Sequence, residues 1–273
     1  MTVSIENTSG IPVPVWVIGL LILAAVVIYA IRRGGKVKIG PIEFESKGNP
    51  AQKESPQTEV DITPPRSTGK TIDPTAEPLT MGKAHLFGST REKDYELAYL
   101  YLMKAAKAGQ TDAYHFLGYM YDCGLYVDVD YQKAMSLYRK AADKGNAAAM
   151  NNIGYMYEYA LGVEKDNKKA AEWYTKASDL GLASAQNNLG RMYKNGAGVP
   201  QDIEKSLQLY RKAVDQGNAM AMNNLAVMYE TGCGVKKDMA QAIQWYQKAE
   251  EKGNVDASNA LKKLKELSPE LFT

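Results

Sequence analysis

The stretch AQNNLGRMYKNGAGVPQDIEKSLQLYRKAVDQG, residues 185–217, reads as two helices joined by a glycine-rich corner. Ala185, Leu189, Met192 and Tyr193 recur at helical spacing and define the buried stripe of the first helix. Gly190 removes a side chain from that helix where a second one must approach closely. The segment Asn195-Gly-Ala-Gly-Val199 then ends it, because glycine accepts the left-handed backbone of a helix stop. Asp202 stands where a carboxylate caps the positive end of the second helix. That helix buries Ser206, Leu209, Tyr210 and Ala213, and Gly217 closes it.

The pattern repeats. Gly109, Gly145, Gly181, Gly217 and Gly253 recur at a constant 36 residues, and Lys104, Lys140, Lys176, Lys212 and Lys248 keep the same step. So do Ala105, Ala141, Ala177, Ala213 and Ala249. A further column reads Tyr121, Tyr157, Tyr193 and Tyr229, with Met120, Met156, Met192 and Met228 just before it. Both columns fall at buried spacing and are expected in the core. Asp202 recurs as Asp130, Asp166 and Asp238. Each helix pair shows apolar faces to both neighbours, so only stacking buries a continuous core. The spacing therefore predicts an all-α solenoid of stacked antiparallel helix pairs, with full units at 113–148, 149–184, 185–220 and 221–256. Upstream, Gly82, Gly88, Asp94 and Ala98 keep the register, which makes 77–112 a degenerate unit. Its loop lacks the second glycine and the valine. Downstream, Ala257, Leu261 and Leu264 begin one more first helix within 257–273. Lys262, Lys263, Lys265 and Glu266 give it the polar outer face of a cap.

These columns resemble the Sel-one-like repeat, a tetratricopeptide-type helical repeat of the form A-x-x-x-L-G-x-x-Y-x-x-G-x-G-V-x-x-D-x-x-x-A-x-x-W-Y-x-K-A-A-x-x-G. Ala221-Met-Asn-Asn-Leu225, Gly232-Cys-Gly-Val235 and Trp245-Tyr-Gln-Lys-Ala249 follow it almost throughout. Ala226 replaces the helix glycine and Glu250 the second alanine. The resemblance implies a right-handed solenoid used as an interaction scaffold, whose first helices line a concave groove. Carried over by register, groove positions fall at His115, Tyr119 and Asp122, then at Asn151, Tyr155 and Glu158. The next unit supplies Asn187, Arg191 and Lys194, and the last supplies Asn223 and Glu230. The amides of Asn151, Asn187 and Asn223 can both donate to and accept from a peptide backbone. Asn152, Asn188 and Asn224 repeat equally well, and either column can instead serve hydrogen bonds between helices. Trp173 and Trp245 belong to the second helices, where packing is expected.

The N-terminal quarter has a different character. After a short tail, 1–10, the run from Ile11 to Ile31 holds no charged residue across 21 positions. At a helical rise of about 1.5 Å it would span about 31 Å, the thickness of a bilayer's hydrocarbon. Trp16 and Tyr29 lie near its ends, where amphipathic rings favour the interface. A transmembrane helix is expected. Glu6 precedes the run without a Lys or Arg, and no A-x-A-like site follows, which argues against a cleaved signal peptide. Arg32, Arg33, Lys36 and Lys38 follow it, so the N-terminus is expected outside and the repeats in the cytoplasm, at a bacterial inner membrane. Periplasmic repeats are the alternative. Residues 36–45 alternate apolar and charged side chains around Gly40-Pro41, a hairpin-like juxtamembrane segment within 32–45. The stretch 46–76 is Pro-rich with few apolar side chains, and its composition predicts a disordered linker.

Charge and chemistry narrow the function. The net charge is +2, and residues 76–273 carry 25 Lys/Arg against 24 Asp/Glu. No basic excess is present for neutralising phosphates, which argues against nucleic acid. Cys123 and Cys233 are the only cysteines, too few for a disulfide scaffold. His85 and His115 lack the converging N/S ligands that structural zinc wants, and His85 aligns with the buried Tyr column. The Gly-x-Gly-Val corners follow helices and lack a Lys-Ser/Thr, so they do not cradle phosphate. No acid–base or nucleophile set converges. The expectation is a non-enzymatic adaptor without cofactor, metal or small-molecule substrate, anchored through 11–31, that binds a peptide or helix of a protein partner. Its alternative is an immunity or chaperone-type protein that sequesters a bacterial toxin or secretion component.

Overall fold

A computed structural model describes residues 61–64, 69–89 and 92–272, all within one unit, Gln57–Thr273. The expected tail, membrane helix, juxtamembrane hairpin and linker as far as residue 60 lie outside the described residues. Among the described residues, no helix is long and apolar enough to cross a membrane.

All regular structure described is helical. Five antiparallel pairs follow one another: α1 (Pro78–Phe87) with α2 (Tyr95–Lys107), α3 (Thr111–Cys123) with α4 (Tyr131–Ala142), and α5 (Ala147–Tyr159) with α6 (Asn167–Asp179). Then come α7 (Ala183–Asn195) with α8 (Ile203–Asp215) and α9 (Ala219–Thr231) with α10 (Met239–Glu251). A lone first helix, α11 (Val255–Leu267), and a 3-10 turn, Pro269–Phe272, end the stack.

Local chemistry sets the helix ends. Asp94, Asp130, Asp166, Asp202 and Asp238 each cap a second helix by accepting the backbone N–H three residues on. Asn146, Asn218 and Asn254 do the same for α5, α9 and α11. Such caps are worth about 1 kcal/mol each, and they fix where every corner begins.

The core runs along the stack. Tyr138, Tyr174, Tyr210 and Tyr246 from the second helices, and Met120, Met156, Met192 and Met228 from the first, are all essentially inaccessible. Two close approaches explain glycines that periodicity alone leaves unexplained. A Cβ on Gly190 would sit 2.9 Å from the Tyr210 ring, so the glycine lets α7 and α8 touch. A Cβ on Gly198 would sit 2.1 Å from the carbonyl oxygen of Asn167, so this corner rests directly on the start of the previous repeat's second helix.

Some expectations need adjustment. In the column expected to be core, Tyr121 and Tyr157 are buried, but Tyr193 and Tyr229 are only half-buried. The Tyr193 hydroxyl accepts from the Lys205 ammonium at 2.6 Å, whose Nζ also lies 4.3 Å from the ring centroid. That amphipathic ring therefore sits at the surface with a cation over it. Trp173 and Trp245 are likewise half-buried beneath Lys176 and Lys248. Part of the stretch read as a loose linker, 61–64 and 69–76, is seated on the first pair. The Tyr99 hydroxyl donates to the Ile62 carbonyl at 3.1 Å, and the Asp73 N–H donates to the Tyr101 hydroxyl at 2.9 Å. Lys70 pairs with Asp94 and Glu96. The composition is that of an unstructured segment, but the hydroxyls of the buried Tyr99 and Tyr101 on α2 supply partners that composition does not reveal.

Candidate partner groove

First helices of neighbouring repeats stand close enough for their side chains to bond directly. The Asn188 amide donates to the Asn151 carbonyl oxygen at 3.0 Å, and the Asn224 amide donates to that of Asn187 at 2.8 Å. Asn152 meets the His115 imidazole Nε2 at 3.3 Å in the same register. The two asparagine columns therefore serve each other. Each member of the 152 column reaches back one repeat to the 151 column, and a ladder of amides stitches α3, α5, α7 and α9 edge to edge. At its far end the next register position is Ala260, so nothing continues the ladder beyond Asn223.

This arrangement places the sequence-derived groove positions unevenly. Tyr155 is exposed, whereas His115, Tyr119, Asp122, Asn151, Arg191, Lys194, Asn223 and Glu230 are half-buried. Asn187 and Glu158 are buried. Asn187 spends its carbonyl on Asn224 and its amide on Asn188, which leaves it little to offer a ligand. Burial pushes the His115 imidazole down to about 4, with the Asp112 carboxylate opposing. His115 is thus neutral near pH 7, packed against Phe116 and Tyr138.

The acids form a second set. Tyrosine hydroxyls of the second helices donate to them, Tyr138 to Asp122 at 3.2 Å, Tyr174 to Glu158 at 3.0 Å and Tyr246 to Glu230 at 2.5 Å. Glu158 also holds Arg191 of the next repeat in a two-pronged ion pair. Burial and the facing Glu158 carboxylate push Tyr174 well above its ordinary range.

Register carried from Tyr119 and Tyr155 missed their neighbours. Tyr159 lies with its ring centroid 4.4 Å from that of Tyr155, and Phe87 lies 5.7 Å from Phe116 and 6.5 Å from Tyr119. Phe87 and Tyr159 are each 50% exposed, unusual for large rings. Both occupy one repeat column, where Cys123, Asn195 and Thr231 also stand. A bulky ring at a column otherwise filled by small or polar residues was the available signal. Among the described residues, no group of three or more His, Cys, Asp and Glu converges to hold a metal. Cys123 is an exposed free thiol and Cys233 a half-buried one.

The Sel1 repeat profile matches residues 81–110, 111–146, 147–182, 183–218 and 219–254, most of the chain's length. The chain belongs to the Sel1 repeat family. Proteins of this family mediate protein–protein interaction. Among solved structures, the chain is similar to a protective antigen of uropathogenic Escherichia coli, with 34% identity over 68% of this chain and a TM-score of 0.59. It spans only 40% of that antigen's length. A Sel1 repeat protein from Oxalobacter formigenes shares 32% identity over 68% of this chain and 76% of its own, with a TM-score of 0.62. An immunity protein from Pseudomonas aeruginosa shares 26% identity over 69% of this chain and 70% of its own, with a TM-score of 0.52. Among curated proteins none matches. The Sel1 match begins the four full units two residues before the boundaries inferred from the glycine columns, and the first unit, at 81, four residues after.

Proposed function

We propose that this Sel1 repeat chain is a membrane-anchored interaction scaffold that holds an extended or helical segment of a protein partner against its first helices. The supporting observation is the exposed rings carried by the first helices, the stacked pair Tyr155 and Tyr159 on α5 and, two repeats earlier, Phe87 on α1, where the asparagines are taken up by structural hydrogen bonds. Aromatic side chains with a polar tip supply large contact area at low entropy cost, and such residues dominate binding energy at interfaces. A tether at residues 11–31, with the repeats cytoplasmic or alternatively periplasmic, would raise the partner's effective concentration near the bilayer.

A photo-crosslinking residue placed at Tyr155 tests the groove against one at Gln208, which is exposed on α8. The expected result is a discrete adduct from Tyr155 that Phe87→Ala and Tyr159→Ala reduce, and none from Gln208. Equal adducts from both positions would remove the groove from the account. A reporter enzyme fused to Thr273 and active on only one side of the membrane decides the orientation.

Likeness to a bacterial immunity protein favours a narrower reading, in which the partner is a toxin or secretion component held inactive. Protection of cells by co-expression against a toxin encoded beside this gene is the discriminating assay.

A further inference from the structure

Three of the full repeats carry an acid in the last turn of the first helix, Asp122, Glu158 and Glu230, and each accepts from the tyrosine of its own second helix. Across the repeat boundary, thirty-three positions on, stands the residue of the next first helix that shares this register. For Glu158 it is Arg191, held in the two-pronged ion pair, and for Glu230 the register supplies Lys263. For Asp122 it is Tyr155. Asp122 is thus the one acid of the set whose register partner brings no cation. Among the described residues it enters no ion pair, and the hydrogen bond it accepts from Tyr138 reaches Oδ2.

The surroundings of Asp122 are open and suit a cation. Asp122 is half-buried, and burial pushes its carboxyl above the ordinary range, against the single hydroxyl that donates to it. Cys123 beside it is exposed, and Tyr155 and Tyr159 are exposed as well. Burial and then Tyr159 push the Tyr155 hydroxyl up, and the Asp122 carboxylate adds to this ahead of Glu158 and Arg191, so carboxylate and ring are close neighbours. Elsewhere lysines lie over Trp173, Tyr193 and Trp245, whereas no ring–cation contact among the described residues involves Tyr155 or Tyr159. A partly desolvated carboxylate attracts a cation more strongly than a fully hydrated one, because the local dielectric is lower. A planar guanidinium can in addition lie against an aromatic face.

We propose that Asp122 and the Tyr155–Tyr159 pair form a subsite for an arginine side chain of the partner, which stands to Asp122 as Arg191 stands to Glu158. The proposal rests on the groove reading above and adds to it the chemistry of the partner. The guanidinium donates to the Asp122 carboxylate and lies against the Tyr155 ring. Arg191 does not repel it strongly, since both of its prongs are spent on Glu158. A partner segment bearing only acidic side chains is disfavoured at this place.

Tyrosine ring chemical shifts in the full chain provide the readout, with Tyr155 and Tyr159 assigned by the signals lost in Tyr155→Leu and Tyr159→Leu. The probe is the peptide acetyl-Gly-Arg-Gly-amide, and its control carries citrulline, which keeps the shape of arginine without the charge. The arginine peptide should shift both rings saturably while the citrulline peptide does not. Asp122→Asn keeps an acceptor for Tyr138 and should weaken the response about tenfold, the scale of one charge-assisted hydrogen bond. Tyr155→Arg, which gives this repeat the resident cation of the next one, should abolish the response read at Tyr159. No response to the arginine peptide, an equal one to the citrulline peptide, or an undiminished one in Asp122→Asn or Tyr155→Arg would overturn the subsite. Should that happen while the Tyr155 adduct persists, the scaffold reading stands and only the arginine subsite is lost. The expected peptide response without any Tyr155 adduct would have the reverse meaning.

Discussion

Glu158 on α5 and Arg191 on α7 meet across a repeat boundary through two parallel hydrogen bonds, Nη1 to Oε1 at 2.6 Å and Nη2 to Oε2 at 2.7 Å. The same carboxylate accepts from Tyr174 on α6 at 3.0 Å. One side chain therefore fastens its own helix pair and the next. The hydrogen bonds it donates to Glu158 hold the Arg191 guanidinium above its ordinary range.

The ion pair should be costly to break from one side and cheaper to remove whole. Arg191→Leu leaves a buried carboxylate with a single hydroxyl donor, and about 2–4 kcal/mol of destabilisation is expected. Glu158→Gln keeps an acceptor for Tyr174 but strands the guanidinium, with a comparable loss. The double variant should cost clearly less than the two singles added together, leaving a coupling of about 1–3 kcal/mol. Thermal melts of the four proteins check this. Simple additivity would mean that the pair contributes nothing beyond its separate packing.

His115 makes stability depend on mildly acidic pH. Its folded-state value is about 4, and an unfolded histidine titrates near 6.5. Above about pH 6.5 neither state is protonated, so the residue has no influence there. As pH falls from there toward 4, the unfolded chain binds a proton that the folded one refuses, and stability drops by about 3 kcal/mol. His115→Asn places in this column the amide that Asn151, Asn187 and Asn223 already use. The variant should match the parent near pH 7 and fall less on acidification, since the carboxylates titrate alike in both. Melting temperature against pH for the two chains measures the difference.

Ala160 ends α5 in the left-handed backbone region, with φ 59, where the first helices of the other four pairs end on Gly88, Gly124, Gly196 and Gly232. A Cβ in that conformation costs about 1 kcal/mol, partly offset because glycine loses more entropy on folding. Ala160→Gly should therefore stabilise by a few tenths of a kcal/mol up to about 1 kcal/mol. A lowered melting temperature would show that the alanine makes a contact outweighing its strain.

The sequence made the helix pairs and their register legible because repetition multiplies weak signals. Capping Asp residues, corner glycines and the Met column each recur at 36 residues and are recognised together. What it left open was which of two equally periodic Asn columns faces a ligand. The ladder from Asn188 to Asn151 shows why periodicity could not decide: both columns recur for one shared purpose, and neither is free of the other. The exposed rings of Phe87 and Tyr159 were hard to see for the opposite reason. They are departures from the repeat, and columns average departures away.

Gly181 and Gly198 look alike in sequence, each closing an element of the repeat, and each has a positive φ, 86° and 73°. Their surroundings differ. A Cβ on Gly181 meets nothing within 4 Å, whereas one on Gly198 would press on the Asn167 carbonyl and the Lys168 nitrogen at 2.7 Å. Gly181→Ala should therefore cost only the left-handed backbone penalty, about 1 kcal/mol. Gly198→Ala adds an overlap between two backbones, which no side-chain rotation can relieve, and about 2–4 kcal/mol is expected in total. The overlap lies between repeats, so relief requires α6 and the following corner to move apart, which alters the spacing of the first helices too. Melting temperatures rank the two variants, and the Tyr155 crosslink reports the spacing. Gly198→Ala should reduce that adduct at temperatures where it remains folded, and Gly181→Ala should leave it intact. Equal melting temperatures would mean that the corner yields freely and does not set the distance between repeats.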